Sequence, residues 1–216
     1  MKVVVFGSTG GTGRAVIRTL LAGGHEVTAF ARDATKLTAA PGLSVLTGDA
    51  MNAADVARAV AGQDRVVVSL GNSQNAYALL FGARRTTPRN VCEVGTRNVI
   101  AAMQAASLSR LVCVTAFGVG DTRDRLPLLF KVFFRLLLRE HMADKEQQEK
   151  LVKASGLDWT LVQPVGLTDL PATGRWLASA AGDIRAQMVS RDDLAAFIAS
   201  ELCEPRHVRE TVAFSG

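Results

Sequence analysis

Val3-Val4-Val5-Phe6-Gly7-Ser8-Thr9-Gly10-Gly11-Thr12-Gly13-Arg14 is the stretch on which the fold depends, and it runs on into Ala15, Val16, Ile17, Leu20 and Leu21 at helical spacing. An unbroken apolar run such as Val3 to Phe6 is what a strand needs when helices cover both faces of a parallel sheet. Gly7, Gly10 and Gly13 then stand in G-x-x-G-x-x-G spacing. Glycines so placed allow a tight turn, a close approach of backbone N–H groups to a pyrophosphate, and close packing of helix on strand, while the helix N-terminus favours the anion. The spacing alone is weak evidence, since a merely tight structural turn would use it too. A strand before it, a helix after it and a second strand, Val27 to Phe30, about twenty residues on supply the context of a dinucleotide-binding turn.

Further runs of β-branched and apolar residues follow at Leu43 to Leu46, Val66 to Leu70, Leu111 to Thr115, Trp159 to Val162 and Thr211 to Phe214. Most do not alternate with polar residues, so they read as buried parallel strands. The helical segments between them open on capping-box-like pairs: Asn52 with Asp55, Asn90 with Glu93, and Ser190 with Asp193. Such βαβα alternation, with right-handed crossovers, predicts a doubly wound α/β sheet rather than a sandwich or a bundle. No repeat, low-complexity tract or linker interrupts it, and residues 1–216 are expected to form one domain.

Composition agrees with a globular chain: of 216 residues 48% are hydrophobic, 21% charged and 6% aromatic, which excludes disordered and fibrous classes. The net charge of +5 suits an anionic small ligand as well as a weak nucleic-acid contact. Arg84, Arg85 and Arg89 lack interleaved aromatics or a reading module, so direct nucleic-acid binding is not expected. Cys92, Cys113 and Cys203 form no C-x-x-C pair, which points to neither a metal site nor a disulfide framework and fits a reducing, cytoplasmic setting. The apolar run at Val3 to Phe6 is too short for a signal peptide. The longest greasy stretch, Leu126 to Leu138, is broken by Lys131 and Arg135 and cannot span a bilayer. Its charges, with Arg139, make one narrow stripe on a helix otherwise apolar, so a second contact is expected there: a substrate pocket, a second subunit or protein partner, or a peripheral membrane surface.

The end of the second strand chooses the cofactor, because NAD sites place a carboxylate there on the ribose 2′-hydroxyl. Here the strand ends Phe30-Ala31-Arg32, and Arg32 with Arg14 is expected to grip a 2′-phosphate, which predicts NADP(H). Asp33 suits the N-cap of the following turn better than a ribose contact. In Gly48-Asp49-Ala50, Asp49 and Ala50 fall beside the adenine, with a turn or cap role for Asp49 equally open. Leu70, which ends the fourth strand, and Gly71 after it are expected to contact the cofactor, and the loop-like segment from Gly71 to Pro88 either edges the ligand crevice or is a surface connection.

These motifs, with Gly95-Thr96-Arg97-Asn98-Val99-Ile100, Ser155-Gly156-Leu157-Asp158-Trp159-Thr160 and Leu167-Thr168-Asp169, resemble the atypical short-chain dehydrogenase/reductase group. Its NAD(P)H-binding branch includes NmrA-like proteins and biliverdin reductase B/flavin reductase, and the resemblance covers nearly the whole chain. It implies a Rossmann-type fold, mainly parallel, with helices on both faces and NADP(H) at the strand carboxyl ends. Ordinary members use a Tyr-x-x-x-Lys pair, whereas the single tyrosine here, Tyr77, sits in the loop after the fourth strand. The nearest counterpart is His141-Met142-Ala143-Asp144-Lys145. Lys145 would keep the role of holding the nicotinamide ribose, and His141 is either a catalytic group or an exposed helix residue. Thr115 falls where family reductases place a serine, with a plain strand role equally open. Pro164, Val165 and Gly166 resemble the segment that meets the nicotinamide amide through backbone groups. Flavin and biliverdin reductases carry a histidine close to Gly166, a departure here.

Two functions follow from different classes. One is a reductase passing hydride from NADPH to an apolar, conjugated acceptor such as a flavin or quinone, which needs no positioned acid. The other is a non-catalytic NADPH-sensing regulator of the NmrA-like kind. Lys145 and the Thr115 hydroxyl favour the reductase, since binding alone would not require them. A sugar epimerase would need the missing tyrosine.

Overall fold

The computed structural model describes residues 1–71, 87–125 and 139–216. Tyr77, Arg84, Arg85 and the Leu126 to Leu138 stretch lie outside the described residues. The strands are β1 (Lys2–Phe6), β2 (Glu26–Ala31), β3 (Leu43–Thr47), β4 (Arg65–Val68), β5 (Arg110–Val114), β6 (Asp158–Pro164), β7 (Gly166–Thr168), β8 (Leu177–Ser179), β9 (Met188–Ser190) and β10 (Glu210–Ser215). Among the described residues the α-helices are α1 (Gly11–Ala22), α2 (Ala53–Val60), α3 (Val91–Ala105), α4 (Arg139–Ala154) and α5 (Arg191–Cys203).

An eight-stranded sheet runs in the order β3-β2-β1-β4-β5-β6-β10-β8. Every neighbouring pair is parallel except β10 with β8. The runs read from the sequence all form strands of this sheet, although β4 stops at Val68, short of Leu70, and β5 at Val114, short of Thr115. β7 and β9 make a separate two-stranded parallel sheet. These pieces and β8 are only three residues long, too short to leave a periodic signal.

The unbroken apolar run of β1 is explained by the pleat. Val3 and Val5 face a core built with Val16, Leu20, Leu194 and Ile198 of α1 and α5. Val4 and Phe6 face the opposite core, with Val56, Val99, Met103 and Val152 of α2, α3 and α4. Successive side chains point to opposite faces, so a strand covered on both sides must be apolar at every position. β1 pairs with β2 on one side and β4 on the other, and the chain order reverses between β1 and β4. In an open α/β sheet that reversal opens a crevice outside the strand carboxyl ends.

Two of the expected caps form as drawn. Asn52 Oδ1 accepts from the N–H groups of Ala54 (2.9 Å) and Asp55 (3.3 Å), and Ser190 Oγ accepts from Asp193 N at 2.9 Å. Asn90 makes no side-chain cap bond. The buried carboxylate of Asp144, from α4, caps α3 instead, accepting from Cys92 N and Glu93 N at 2.9 Å each. A carboxylate on two opening N–H groups outcompetes a neutral amide there.

Candidate functional site

At the reversal point the ends of β1, β2 and β4 enclose a crevice of about 270 Å³. Gly7, Thr9, Gly10, Gly11 and Thr12 form its floor, Phe30, Ala31 and Arg32 one side, Gly48, Asp49 and Ala50 another, and Ser69, Leu70 and Gly71 the β4 side. Gly7 has φ of +83°, and a Cβ there would lie 2.3 Å from Ser69 O. A Cβ on Gly13 would lie 2.2 Å from Gly7 O, so the helix can press on the turn only with glycine at both places. Ser8 is wholly buried, and its hydroxyl donates to Phe30 O at 2.8 Å. It ties the turn to β2 rather than facing the crevice.

Arg32 lines the crevice and reaches Thr87 Oγ1 at 3.4 Å. Arg14 is absent from that wall, because its guanidinium donates to Thr9 O (3.0 Å) and Lys36 O (2.7 Å). Asp33 is the N-cap that its place suggested, accepting from Thr35 N at 3.1 Å and from the Thr35 hydroxyl at 2.5 Å. The Thr35 hydroxyl bond is the first cause that holds its carboxyl below the usual range. Asp49 lines the crevice, and its Oδ1 accepts from Met51 N at 3.0 Å, as a turn residue does.

The residues expected at the nicotinamide end lie outside this crevice wall. Lys145 Nζ donates to Leu70 O at 2.6 Å, Val114 O at 2.9 Å and Gln148 Oε1 at 3.1 Å, bridging the ends of β4 and β5. Its three protons are thus engaged, and a ribose contact has to replace one of these bonds. Thr115 is buried and donates to Glu149 Oε1 at 2.6 Å. Glu149 also accepts from Gln163 Nε2 at 2.8 Å, while its Oε2 has no hydrogen-bond partner among the described residues. Burial pushes this carboxyl above the usual carboxylate range, against the bonds from Thr115 and Gln163. His141 is half-buried in the first turn of α4, one turn ahead of Lys145.

At Pro164, Val165 and Gly166, where a nicotinamide contact is expected, three backbone groups already have partners. Pro164 O accepts from Phe117 N, Val165 N donates to Phe214 O and Gly166 N donates to Gln187 O, at 2.9 to 3.0 Å. These backbone groups are committed to the protein, because the short β7–β9 ladder and β10 lie against them. Burial pushes the thiol of Cys92 up to about 11 and that of Cys113 up to about 12, which disfavours the thiolate at both.

A family model described as NAD(P)H-binding matches residues 7–205. The chain belongs to this NAD(P)H-binding family. An uncharacterised chloroplastic protein of Arabidopsis thaliana is 29% identical over 195 residues, covering 88% of this chain and 68% of that one. Among solved structures, the anaerobillin reductase ChuY of Escherichia coli O157:H7 superposes with TM-score 0.80 at 27% identity, over 100% of this chain and 97% of that one. A short-chain dehydrogenase/reductase of Veillonella parvula, solved with NADP, has TM-score 0.82 at 16% identity, over 100% and 94% of the two chains, a likeness of fold. Membership of the NAD(P)H-binding family and its reductase neighbours support an oxidoreductase, and they lend no support to the sensor alternative.

The crevice wall also holds Val91 and Arg191, which the sequence did not mark, and Thr87, which falls in the Gly71 to Pro88 segment expected at its edge. Thr87 sits in a loop-like segment, Val91 opens a helix that follows such irregular chain, and Arg191 opens a helix directly after the three-residue strand β9. No local spacing marks a side chain that reaches the site only through the packing of α3 and α5. Among the described residues no helix is long and apolar enough to cross a membrane.

Proposed function

We propose that this chain is an NADPH-dependent reductase that passes hydride to a conjugated acceptor such as a flavin or a quinone, with residues 1–216 acting as one NAD(P)-binding unit. The observation that carries the choice of acceptor is the company kept by Thr115 and Lys145. The Thr115 hydroxyl donates its hydrogen bond to Glu149, and the Lys145 ammonium is held on two backbone carbonyls. Neither is aimed at a substrate oxygen as a phenol acid would be. An isolated carbonyl receiving hydride becomes an alkoxide and needs such an acid, whereas a conjugated ring system spreads the charge and takes its proton from water.

NADPH, when bound, supplies the hydride. The turn from Gly7 to Thr12 would hold the diphosphate on backbone N–H groups, and a side chain at Gly7 or Gly13 would fill that cradle. Arg32 suits a 2′-phosphate, with no acid at Phe30 or Ala31 to favour a bare ribose hydroxyl. Asp49 and Ala50 would flank the adenine. Lys145 would meet the nicotinamide ribose by giving up one carbonyl.

The test is a scan of NADPH oxidation against flavin, quinone and simple carbonyl acceptors, with NADH in parallel. Faster turnover with a flavin or quinone than with any aldehyde or ketone is expected. Turnover confined to isolated carbonyls, or none with any acceptor while NADPH binds tightly, would refute the proposal.

A further inference from the structure

The glycine spacing that marks the turn accounts for Gly7, Gly10 and Gly13 but not for Gly11. A Cβ on Gly11 would meet Arg191 Nε at 2.8 Å and Cδ at 2.9 Å. Gly11 is therefore the place where a side chain from the far end of the sequence lies flat on the turn. Arg191 is the first residue of α5, is part of the crevice wall, and lies with about a quarter of its side chain exposed. Its position is fixed from behind: Ser190 caps α5 through Asp193, and α5 packs along α1 in the core that holds Val16, Leu20, Leu194 and Ile198.

Arg191 Nη1 has one carboxylate, Asp169 Oδ1 at 2.7 Å, and that side chain is itself 85% exposed. An exposed partner of this kind holds a guanidinium weakly, since solvent screens the pair. Across the turn, α1 opens with Gly10 as N-cap, which offers no side-chain acceptor, and with no acidic residue in its first turn. The carboxylate that the crevice wall does carry, Asp49, is turned to its own Met51 N–H. Among the described residues, this planar cation thus has an exposed carboxylate as its acidic partner and no buried acid beside it, next to the backbone N–H groups of the turn.

We infer that Arg191 is a diphosphate-binding residue: its guanidinium closes over the glycine turn from the side opposite the backbone N–H groups and exchanges the exposed Asp169 for the bridging phosphates of the dinucleotide. The inference rests on the crevice being the dinucleotide site. Arg32 and Arg191 then divide the anion between them. Arg32 reads the 2′-phosphate and so distinguishes the two cofactors, while Arg191 contacts what both share.

The experiment measures equilibrium binding of NADPH, NADH and adenosine 2′-monophosphate, which carries no diphosphate, to the unmodified chain and to Arg191→Met and Arg191→Lys. Arg191→Met is expected to weaken NADPH and NADH alike by about ten- to a hundredfold, the scale of one lost charged hydrogen-bonding contact, with their ratio unchanged. Arg191→Lys should recover part of the loss, because the charge remains and the planar fork does not. Adenosine 2′-monophosphate should bind all three proteins equally. Dinucleotide affinities left unchanged by Arg191→Met would overturn the inference and leave the proposed function standing. So would a matching loss for adenosine 2′-monophosphate, which would mark a structural role for Arg191. An unmodified chain that binds neither dinucleotide would overturn the proposed function as well.

Discussion

Replacing Lys145 by methionine removes an ammonium while keeping most of its apolar stem, so it isolates what the charge does. The structure gives that charge two backbone carbonyls, Leu70 O at 2.6 Å and Val114 O at 2.9 Å, at the carboxyl ends of adjacent strands β4 and β5. Bonds from a charged donor contribute about 1.5 to 3 kcal/mol each. Leu70 is only half-buried, so water recovers part of its bond, while Gln148 stays held by its Nε2 on Thr96 Oγ1. The net loss is then about 3 kcal/mol, the low end of the sum for two such bonds. For a chain of this size that lowers the melting temperature by roughly 6 to 12 °C. Calorimetric melting of the cofactor-free protein measures it, and NADPH titration of the folded variant should show binding weaker by about tenfold, one charged contact. An unchanged melting temperature with NADPH binding lost would refute the strand-tie argument and leave Lys145 as a ligand contact alone. His141→Ala should alter binding less than Lys145→Met in the same titration.

Arg32→Asp should weaken NADPH by about ten- to a hundredfold and favour NADH, and equal affinity of the unmodified chain for both cofactors would contradict the assignment. Asp144→Ala, which strips two N–H groups at the start of α3, should destabilise by about 2 kcal/mol in urea unfolding, whereas Asn90→Ala should cost little; equal losses would show that Asn90 carries the cap. Glu149→Gln addresses a carboxyl that burial raises above its unfolded value. The stability associated with its neutral form is fully present below the ordinary carboxylate pKa and is lost as pH rises through the folded value. The glutamine variant, which stays neutral, should therefore exceed the unmodified chain in stability above neutral pH and match it in acid; a variant less stable at high pH would mean that the carboxylate is the form the fold holds.

The sequence by itself determined the doubly wound sheet and the place of the crevice. Val3 to Phe6 had to be apolar at every position because both faces of β1 are covered, and Gly7 and Gly13 had to lack a Cβ because backbone lies 2.2 to 2.3 Å from where it would stand. Such constraints act between neighbours along the chain and leave a local pattern. Arg32 and Asp33 were legible for the same reason, one ending a strand and the other capping the next turn. Only the tertiary structure decided that Asp144 rather than Asn90 caps α3, that Lys145 joins the ends of β4 and β5, that the Pro164 to Gly166 backbone is already paired, and that Arg191 covers Gly11. In each case the partners are brought together by packing of elements distant in sequence. A hydrogen-bonding group records its own chemistry in the sequence, but which of several equally competent partners it meets is fixed by where the helices come to rest on the sheet.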